Sequence, residues 1–379
     1  LLNESIKVQS ENKQTHLSIF LKAKSLEQEG KKIIHMEVGE PDFLPPKIVK
    51  KSLSEIFDKG FMKYGQAKGM PIFRETLANY VSTKFNVKVS HENIIVSPGA
   101  RFSIFSAITT LLNPGDEMIV IEPAWPAYKD CALNAGIKVR TISTTLETKW
   151  EPSIEQIRNT INSNTKMIVL NYPNNPTGKI LPEKLQDEII EVAKENNLYV
   201  LSDEIYSQYA KTNWKSILSY NYEKSIVTQS FSKSHAMTGF RVGYAITSKQ
   251  IIEKMAKLEA LCLTNVSDPI QFVAMNALEA DTSNNSEIMQ NRLDMLSQKA
   301  KEMGLEFIIP DGAMYIFAKI NQKDFDGTEF ANNSLEKGIA VAPGEGFGNY
   351  KNFIRISACQ DDKTLMEGMH ILGNIMSDK

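Results

Sequence analysis

The sequence predicts an α/β protein in two parts: a large domain with a mostly parallel sheet flanked by helices, and a smaller α+β domain. Three observations carry that reading. At 379 residues the chain exceeds one minimal core. Over residues 93–248, short β-branched runs alternate with amphipathic stretches of helical period, the pattern of a sheet with mostly parallel strands. Beyond about Asp281 a long helical stretch is followed by isolated strand-like runs.

Taken in order, residues 13–30 look helical and precede the sheet, so they are expected to pack on the C-terminal part and make the smaller domain discontinuous. The expected boundaries are 47–284 for the large domain and 1–46 with 285–379 for the small one. Five runs, 93–97, 117–121, 166–170, 198–201 and 225–228, read as strands. Asn113-Pro-Gly-Asp116 stops one helix, and Leu181-Pro182-Glu183 opens another with proline near its first turn. Residues 285–304 form the long helix candidate, and 313–318 and 353–357 the strand-like runs after it. No repeat, low-complexity tract or long Gly/Ser linker interrupts the chain, so the domains are joined by ordinary elements.

With 42% hydrophobic and 23% charged residues the composition is that of a soluble globular protein. A formal net charge of -2 supplies no basic field for a phosphate backbone, so a small-molecule ligand is expected and nucleic acid is not. Cys131, Cys262 and Cys359 form no C-x-x-C pair and suit three buried thiols in a reducing compartment. The histidines show no metal-ligand spacing, so no metal is expected. There is no apolar run of membrane-spanning length, and the opening Leu1-Leu2-Asn3-Glu4-Ser5 lacks the apolar stretch of a secretory signal. A cytoplasmic protein without membrane contact is the expectation.

In an open α/β sheet, ligands gather beyond the carboxyl ends of the strands, so polar residues just after each run are the candidates. After the first comes Ser97-Pro-Gly-Ala100-Arg101 opening a helix, where backbone N–H groups at Gly99, Ala100 and Arg101 suit a phosphate; a plain Pro-Gly turn would read the same. After the second, Glu122-Pro-Ala-Trp125-Pro-Ala-Tyr128 fixes an aromatic that suits either a flat ring or a core cap. The third is followed by Asn174-Asn175-Pro-Thr-Gly178, a rigid turn with side-chain amides. Asp203-Glu-Ile-Tyr206 follows the fourth, a carboxylate and a phenol that a solvated helix start would also supply. After the fifth, Ser230-Phe-Ser232-Lys233 leads to Gly239-Phe-Arg241, one lysine and one arginine set among Ser, Thr and Gly, where a surface loop would carry more charge.

Pyridoxal 5′-phosphate (PLP) uses this whole set: a lysine for its aldehyde, hydroxyl, amide and arginine donors for its phosphate, and a carboxylate for its pyridine nitrogen. The chain also resembles the class I/II aminotransferases of the fold-type-I PLP-dependent transferases, especially the aspartate aminotransferase branch. The match runs in order through Gly39-Glu-Pro-Asp-Phe43, Lys63-Tyr64-Gly65, Asn175-Pro-Thr-Gly178, Asp203-Glu-Ile-Tyr206, Ser232-Lys233 and Phe353-Ile-Arg355-Ile-Ser357.

That resemblance implies that Lys233 forms the Schiff base and carries the proton. It implies that Asp203 pairs with the pyridine nitrogen, and that Tyr206 and Asn175 bond the ring oxygen. Ser230, Ser232, Arg241 and the Ala100 and Arg101 amides would take the phosphate, and Trp125 would stack on the ring. Tyr64 would reach the phosphate of the neighbouring subunit in a homodimer. Arg355, with Gly39 and Asn175, would hold the substrate α-carboxylate through a bidentate pair. The resemblance further implies ping-pong transamination between an amino acid and 2-oxoglutarate. Animal-type members add an arginine from the partner subunit to read a dicarboxylic side chain, and no motif here supplies one. In bacterial and archaeal members a basic residue at the place of Arg101 can contact the distal carboxylate, so aspartate is the favoured donor; the cofactor phosphate and open solvent are the other places for that side chain. The alternatives are an aromatic or alanine aminotransferase, a PLP carbon–sulfur lyase or aminocyclopropane-carboxylate synthase, and, outside catalysis, the PLP-sensing domain of a transcription regulator. Such regulators carry a DNA-binding domain ahead of the sensor, and 38 residues precede Gly39 here.

Overall fold

The computed structural model describes residues 14–211 and 214–377. Among them are twelve strands: β1 (Ile34–His35), β2 (Ile94–Ser97), β3 (Glu117–Glu122), β4 (Lys138–Ser143), β5 (Thr165–Leu170), β6 (Tyr199–Asp203), β7 (Ser225–Ser230), β8 (Gly243–Ile246), β9 (Tyr315–Lys319), β10 (Ile339–Ala340), β11 (Ala342–Pro343) and β12 (Phe353–Ser357). The apolar runs become strands because both faces of their sheet are covered. Alternate residues of one strand enter two different cores. Ile119, Ile168 and Val227 pack with Phe73 and Leu77 of the helix Pro71–Phe85. Met118, Val169 and Ile226 pack with Ile104 and Ile108 of the helix Ala100–Leu111 on the other side.

The sheet has the order β2-β8-β7-β6-β5-β3-β4. Pairing is parallel from β7 across to β4, while β8 is antiparallel to both β7 and β2, so β8 alone runs against the other six. The chain leaves β3 for β4 at one edge and returns to β5 on the other side of β3, a reversal of the kind that opens a ligand crevice at the carboxyl ends.

All five expected strands are present within a residue or two of their sequence bounds. Two further strands, β4 and β8, were not expected, each for a physical reason. β4 is an edge strand in which Ile142 alone is buried, and Arg140 reaches Glu117 of β3 at 2.9 Å, so its sequence is too polar to read as sheet. β8 opens on Gly243, where a Cβ would stand 2.7 Å from the Gln229 carbonyl, so close backbone approach replaces the usual β-branched residue.

A second core lies apart from the sheet. Ile19 and Ala23 of the helix His16–Gln28 pack with Ile34 and Met36, and with Leu293, Ile316, Ile354 and Leu365 from the C-terminal third. There β9, β12 and β11 form an antiparallel sheet and β1 pairs in parallel with β10. The long helix spans Ser283–Glu302, close to its expected 285–304. The three-buried-thiol expectation is corrected: Cys359 is buried, Cys131 half-buried and Cys262 exposed on the outer side of the helix Lys249–Leu263. No described helix is long and apolar enough to cross a membrane. The Leu1 to Ser5 string lies outside the described residues.

Candidate active site

The carboxyl ends of β2, β3, β5, β6 and β7 open on a cavity of about 280 Å³, which residues of the second core also line. Of the site residues that the resemblance implies, all but Tyr64 line it. Tyr64 is 89% exposed on this chain.

Asp203 ends β6 and is buried, which removes the solvated helix-start alternative. The Tyr128 hydroxyl donates to its Oδ2 at 2.7 Å and Thr228 to its Oδ1 at 3.1 Å. Burial pushes its carboxyl up to about 6, and those two bonds with the Ile205 amide hold it from rising further. Glu204, one residue on, accepts from Ser202, Ser216 and the Ile217 amide and does not reach the cavity.

Lys233 sits in the four-residue helix Phe231–Ser234 directly after β7, with Ser230 as its cap. Its backbone carbonyl accepts from the Tyr209 hydroxyl at 2.8 Å, and its Nζ donates to the Gly39 carbonyl. Burial draws its ammonium below the usual lysine range; Arg355 and Arg241 push the same way, against Cys359 and Glu40. An amine held this way is a better nucleophile and base than a solvated one.

Beside it is an anion cradle. Gly99 precedes the helix Ala100–Leu111 at φ 84, with no side chain capping that helix, so its first amides are open to a ligand. Glycine is favoured at position 99 by its positive φ, and a Cβ there would fall 2.6 Å from the Arg241 guanidinium and displace it. Arg241 donates to the Thr238 carbonyl at 2.9 Å and retains further N–H donors, and the Ser230 and Ser232 hydroxyls are 2.9 Å apart.

Arg355, at the centre of β12, is 1% exposed. Its Nη1 donates to Asn175 Oδ1 at 2.7 Å and its Nη2 to the Glu37 carbonyl. The guanidinium lies 4.2 Å from the Tyr315 ring centre and 4.8 Å from that of Phe347, while its Nε is buried without a partner. A second guanidinium, that of Arg101, lies 4.7 Å over the Trp125 ring, so one face of that indole already carries a cation.

Among the cavity residues that the sequence reading gave no role are His16 and Tyr315. His16 opens the N-terminal helix and stacks on Phe347 at 6.2 Å; its Nδ1 is buried and unpartnered. Burial, then Arg355, Arg101 and Lys233, take its imidazole down to about 3, so it is neutral in ordinary buffers. Tyr315 enters from β9 and its hydroxyl meets that of Tyr206 at 2.8 Å. Neither follows the carboxyl end of a strand of the large sheet, the one place the sequence offered a rule for looking.

The Thermotoga maritima aspartate aminotransferase is 32% identical over 362 residues, spanning 94% of this chain and 95% of that protein. The (5-formylfuran-3-yl)methyl phosphate transaminase of Methanocaldococcus jannaschii is 33% identical, spanning 93% and 94%. The structure of the Thermus thermophilus aspartate aminotransferase with maleate matches with a TM-score of 0.94 at 29% identity, over 99% of this chain and 100% of that one. The family described as aminotransferase class I and II matches residues 31–372. Since the family model spans residues 31–372 and relatives of 32% and 33% identity align nearly from end to end, the chain belongs to the class I and II aminotransferases and is a PLP-dependent transaminase.

Proposed function

We propose that this transaminase moves an amino group between a dicarboxylic amino acid, aspartate first, and 2-oxoglutarate. The observation that carries the reading is a pair of arginines in one cavity: Arg355, buried and pre-oriented between two rings, and Arg101, stacked on Trp125. A substrate with two carboxylates uses both cations; alanine or an aromatic donor uses one. Relatives named aspartate aminotransferase support the same choice.

The donor set fits PLP. The uncapped helix start at Ala100, Arg241, Ser230 and Ser232 would hold its phosphate, Asp203 its ring nitrogen, Tyr206 and Asn175 its ring oxygen, Trp125 its face, and Lys233 its reactive carbon covalently. When bound, the cofactor supplies an electron sink that makes the substrate α-proton labile. The chain's own groups do the rest. Arg355 orients the α-carboxylate by a bidentate pair, and Asn175 fixes the rotation of that guanidinium. Lys233 Nζ, whose charge burial disfavours, takes the α-proton and returns it one carbon away. Asp203, at about 6, is mostly ionised at pH 7 and so opposes the positive charge of a protonated ring nitrogen.

We propose further that 47–284 and 1–46 with 285–379 are separate domains, a division the two cores support, and that the working unit is a homodimer in which Tyr64 of one chain serves the other. Subunit exchange between Lys233→Ala and Tyr64→Ala proteins should then restore a fraction of sites. The test of the reaction is to add L-aspartate and 2-oxoglutarate and follow oxaloacetate, glutamate and ammonia. Stoichiometric oxaloacetate and glutamate without ammonia supports transamination of aspartate. Ammonia release points to a lyase, and no product from aspartate beside turnover of alanine or phenylalanine overturns the donor choice.

A further inference from the structure

Tyr315 is 2% exposed, and it touches three different parts of the site. Its hydroxyl bonds that of Tyr206 at 2.8 Å, with the two rings edge-on at 81°. Its ring lies 4.2 Å beneath the Arg355 guanidinium. The same hydroxyl presses on Gly39, since a Cβ there would fall 1.7 Å from it. Gly39 in turn accepts from Lys233 Nζ. One phenol thus contacts the carboxylate-reading arginine, the phenol proposed to read the cofactor's ring oxygen, and the segment that holds the lysine.

Each phenol has a single proton. If Tyr206 donates its own to an anionic ring oxygen, the bond between the two hydroxyls has to be donated by Tyr315. A donated bond polarises the acceptor hydroxyl and strengthens its own onward donation. The cation over the Tyr315 ring makes Tyr315 a better donor, and a carboxylate neutralising Arg355 removes part of that help. Burial raises the Tyr315 phenol to about 12, so it keeps its proton throughout the working range. The other titratable and charged groups facing the pair are Arg355, Asp203 and Cys359.

We propose that Tyr315 is a positioning residue that fixes the direction of the Tyr206 hydroxyl and couples it to the charge state of Arg355. It links substrate binding at the α-carboxylate to the proton affinity of the lysine–cofactor linkage, by a route separate from the Arg355–Asn175 bond. The inference rests on the PLP reading of the site given above.

The test is a pH titration of the bound cofactor's visible absorption, from pH 5 to 10, on purified holoprotein with and without the non-reacting dicarboxylate maleate. Losing one neutral hydrogen bond corresponds to about 0.5–1 pH unit, so Tyr315→Phe should raise the midpoint by that much and shrink the further rise caused by maleate. Tyr206→Phe should also raise it, and Tyr206→Phe/Tyr315→Phe should go no higher than Tyr206→Phe alone. Tyr315→Leu, which also removes the ring under Arg355, should in addition raise KM for the amino donor several-fold, whereas Tyr315→Phe changes it less than about two-fold. A Tyr315→Phe midpoint equal to wild type, or additive shifts in the double variant, overturns the proposal. A wild-type protein that binds no PLP overturns the reading beneath it, a result distinct from both.

Discussion

Replacing Arg101 by glutamine is the sharpest test of donor choice. Its guanidinium lies on the Trp125 ring in the first turn of the helix Ala100–Leu111, where a cation meets the positive end of the helix dipole. Burial and the nearby Arg241 also disfavour its charge. A cation kept in so unfavourable a place gains most when an anion arrives. A charge-assisted hydrogen bond contributes roughly 1.5–3 kcal/mol, so Arg101→Gln should lower kcat/KM for aspartate and glutamate by about 10- to 150-fold. Alanine and phenylalanine should change by less than about two-fold, and Arg101→Lys should recover part of the loss because it restores charge without the planar fork. The acceptor 2-oxoglutarate is itself dicarboxylic, so steady-state rates would mix two effects. The assay is therefore the single half-reaction with each donor, followed by the cofactor's absorption in a stopped-flow instrument. Equal losses for every donor with weaker PLP retention would assign Arg101 to the phosphate, and no loss for any donor would refute the argument.

Three further outcomes are expected. Lys233→Ala should lose transamination with little change in Tm, and borohydride reduction of the wild type followed by peptide mapping should locate the cofactor on Lys233; label on another lysine sinks the assignment. Asp203→Ala should retain bound cofactor but turn over at least 100-fold more slowly, because a buried charge opposite the ring nitrogen is worth several kcal/mol; near-normal kcat would return Asp203 to a structural role. His35, bonded to the buried Glu37 at 2.8 Å and to Glu27 at 3.1 Å, has its pKa raised, chiefly by Glu37. A raised folded pKa gives stability that is complete below the unfolded value of about 6.5 and is lost as pH rises through the folded one. The Tm deficit of His35→Gln relative to wild type should therefore be larger at pH 5.5 than at pH 9, and a deficit that grows with pH would contradict the sign.

The sheet was legible because its strands are buried on both faces and so read as apolar runs, and the ligand residues were legible because a parallel sheet gathers them at the ends of those runs. Lys233, Asp203, Asn175 and Ala100 were all found by that single rule. β4 failed the rule through its exposed Lys138 and Arg140, and β8 through its opening glycine. Tyr315 read as one more apolar residue of a strand-like run, and His16 as an isolated histidine on a helix. Their place beside Arg355 is set by tertiary packing, since Tyr315 comes from β9, the strand paired with β12, and His16 from the opposite end of the chain, and no local period records either contact. Arg355 itself was found only by resemblance, since its bond to Asn175 joins positions 180 apart.

The separation between the anion cradle and Arg355 has a consequence for the order in which the protein comes into being. Every cradle residue, from Gly99 to Arg241, precedes Arg355 by roughly a hundred positions or more. Synthesis at about 5–20 residues per second delivers that interval over on the order of ten seconds. For that time a ribosome-bound chain holds the pieces of the phosphate and ring pocket while β12, and with it the grip on a substrate carboxylate, has yet to emerge. The residues of the phosphate and ring pocket are thus made before the one that grips a substrate carboxylate, and a nascent chain stalled after β8 is the place to measure whether they hold PLP without it.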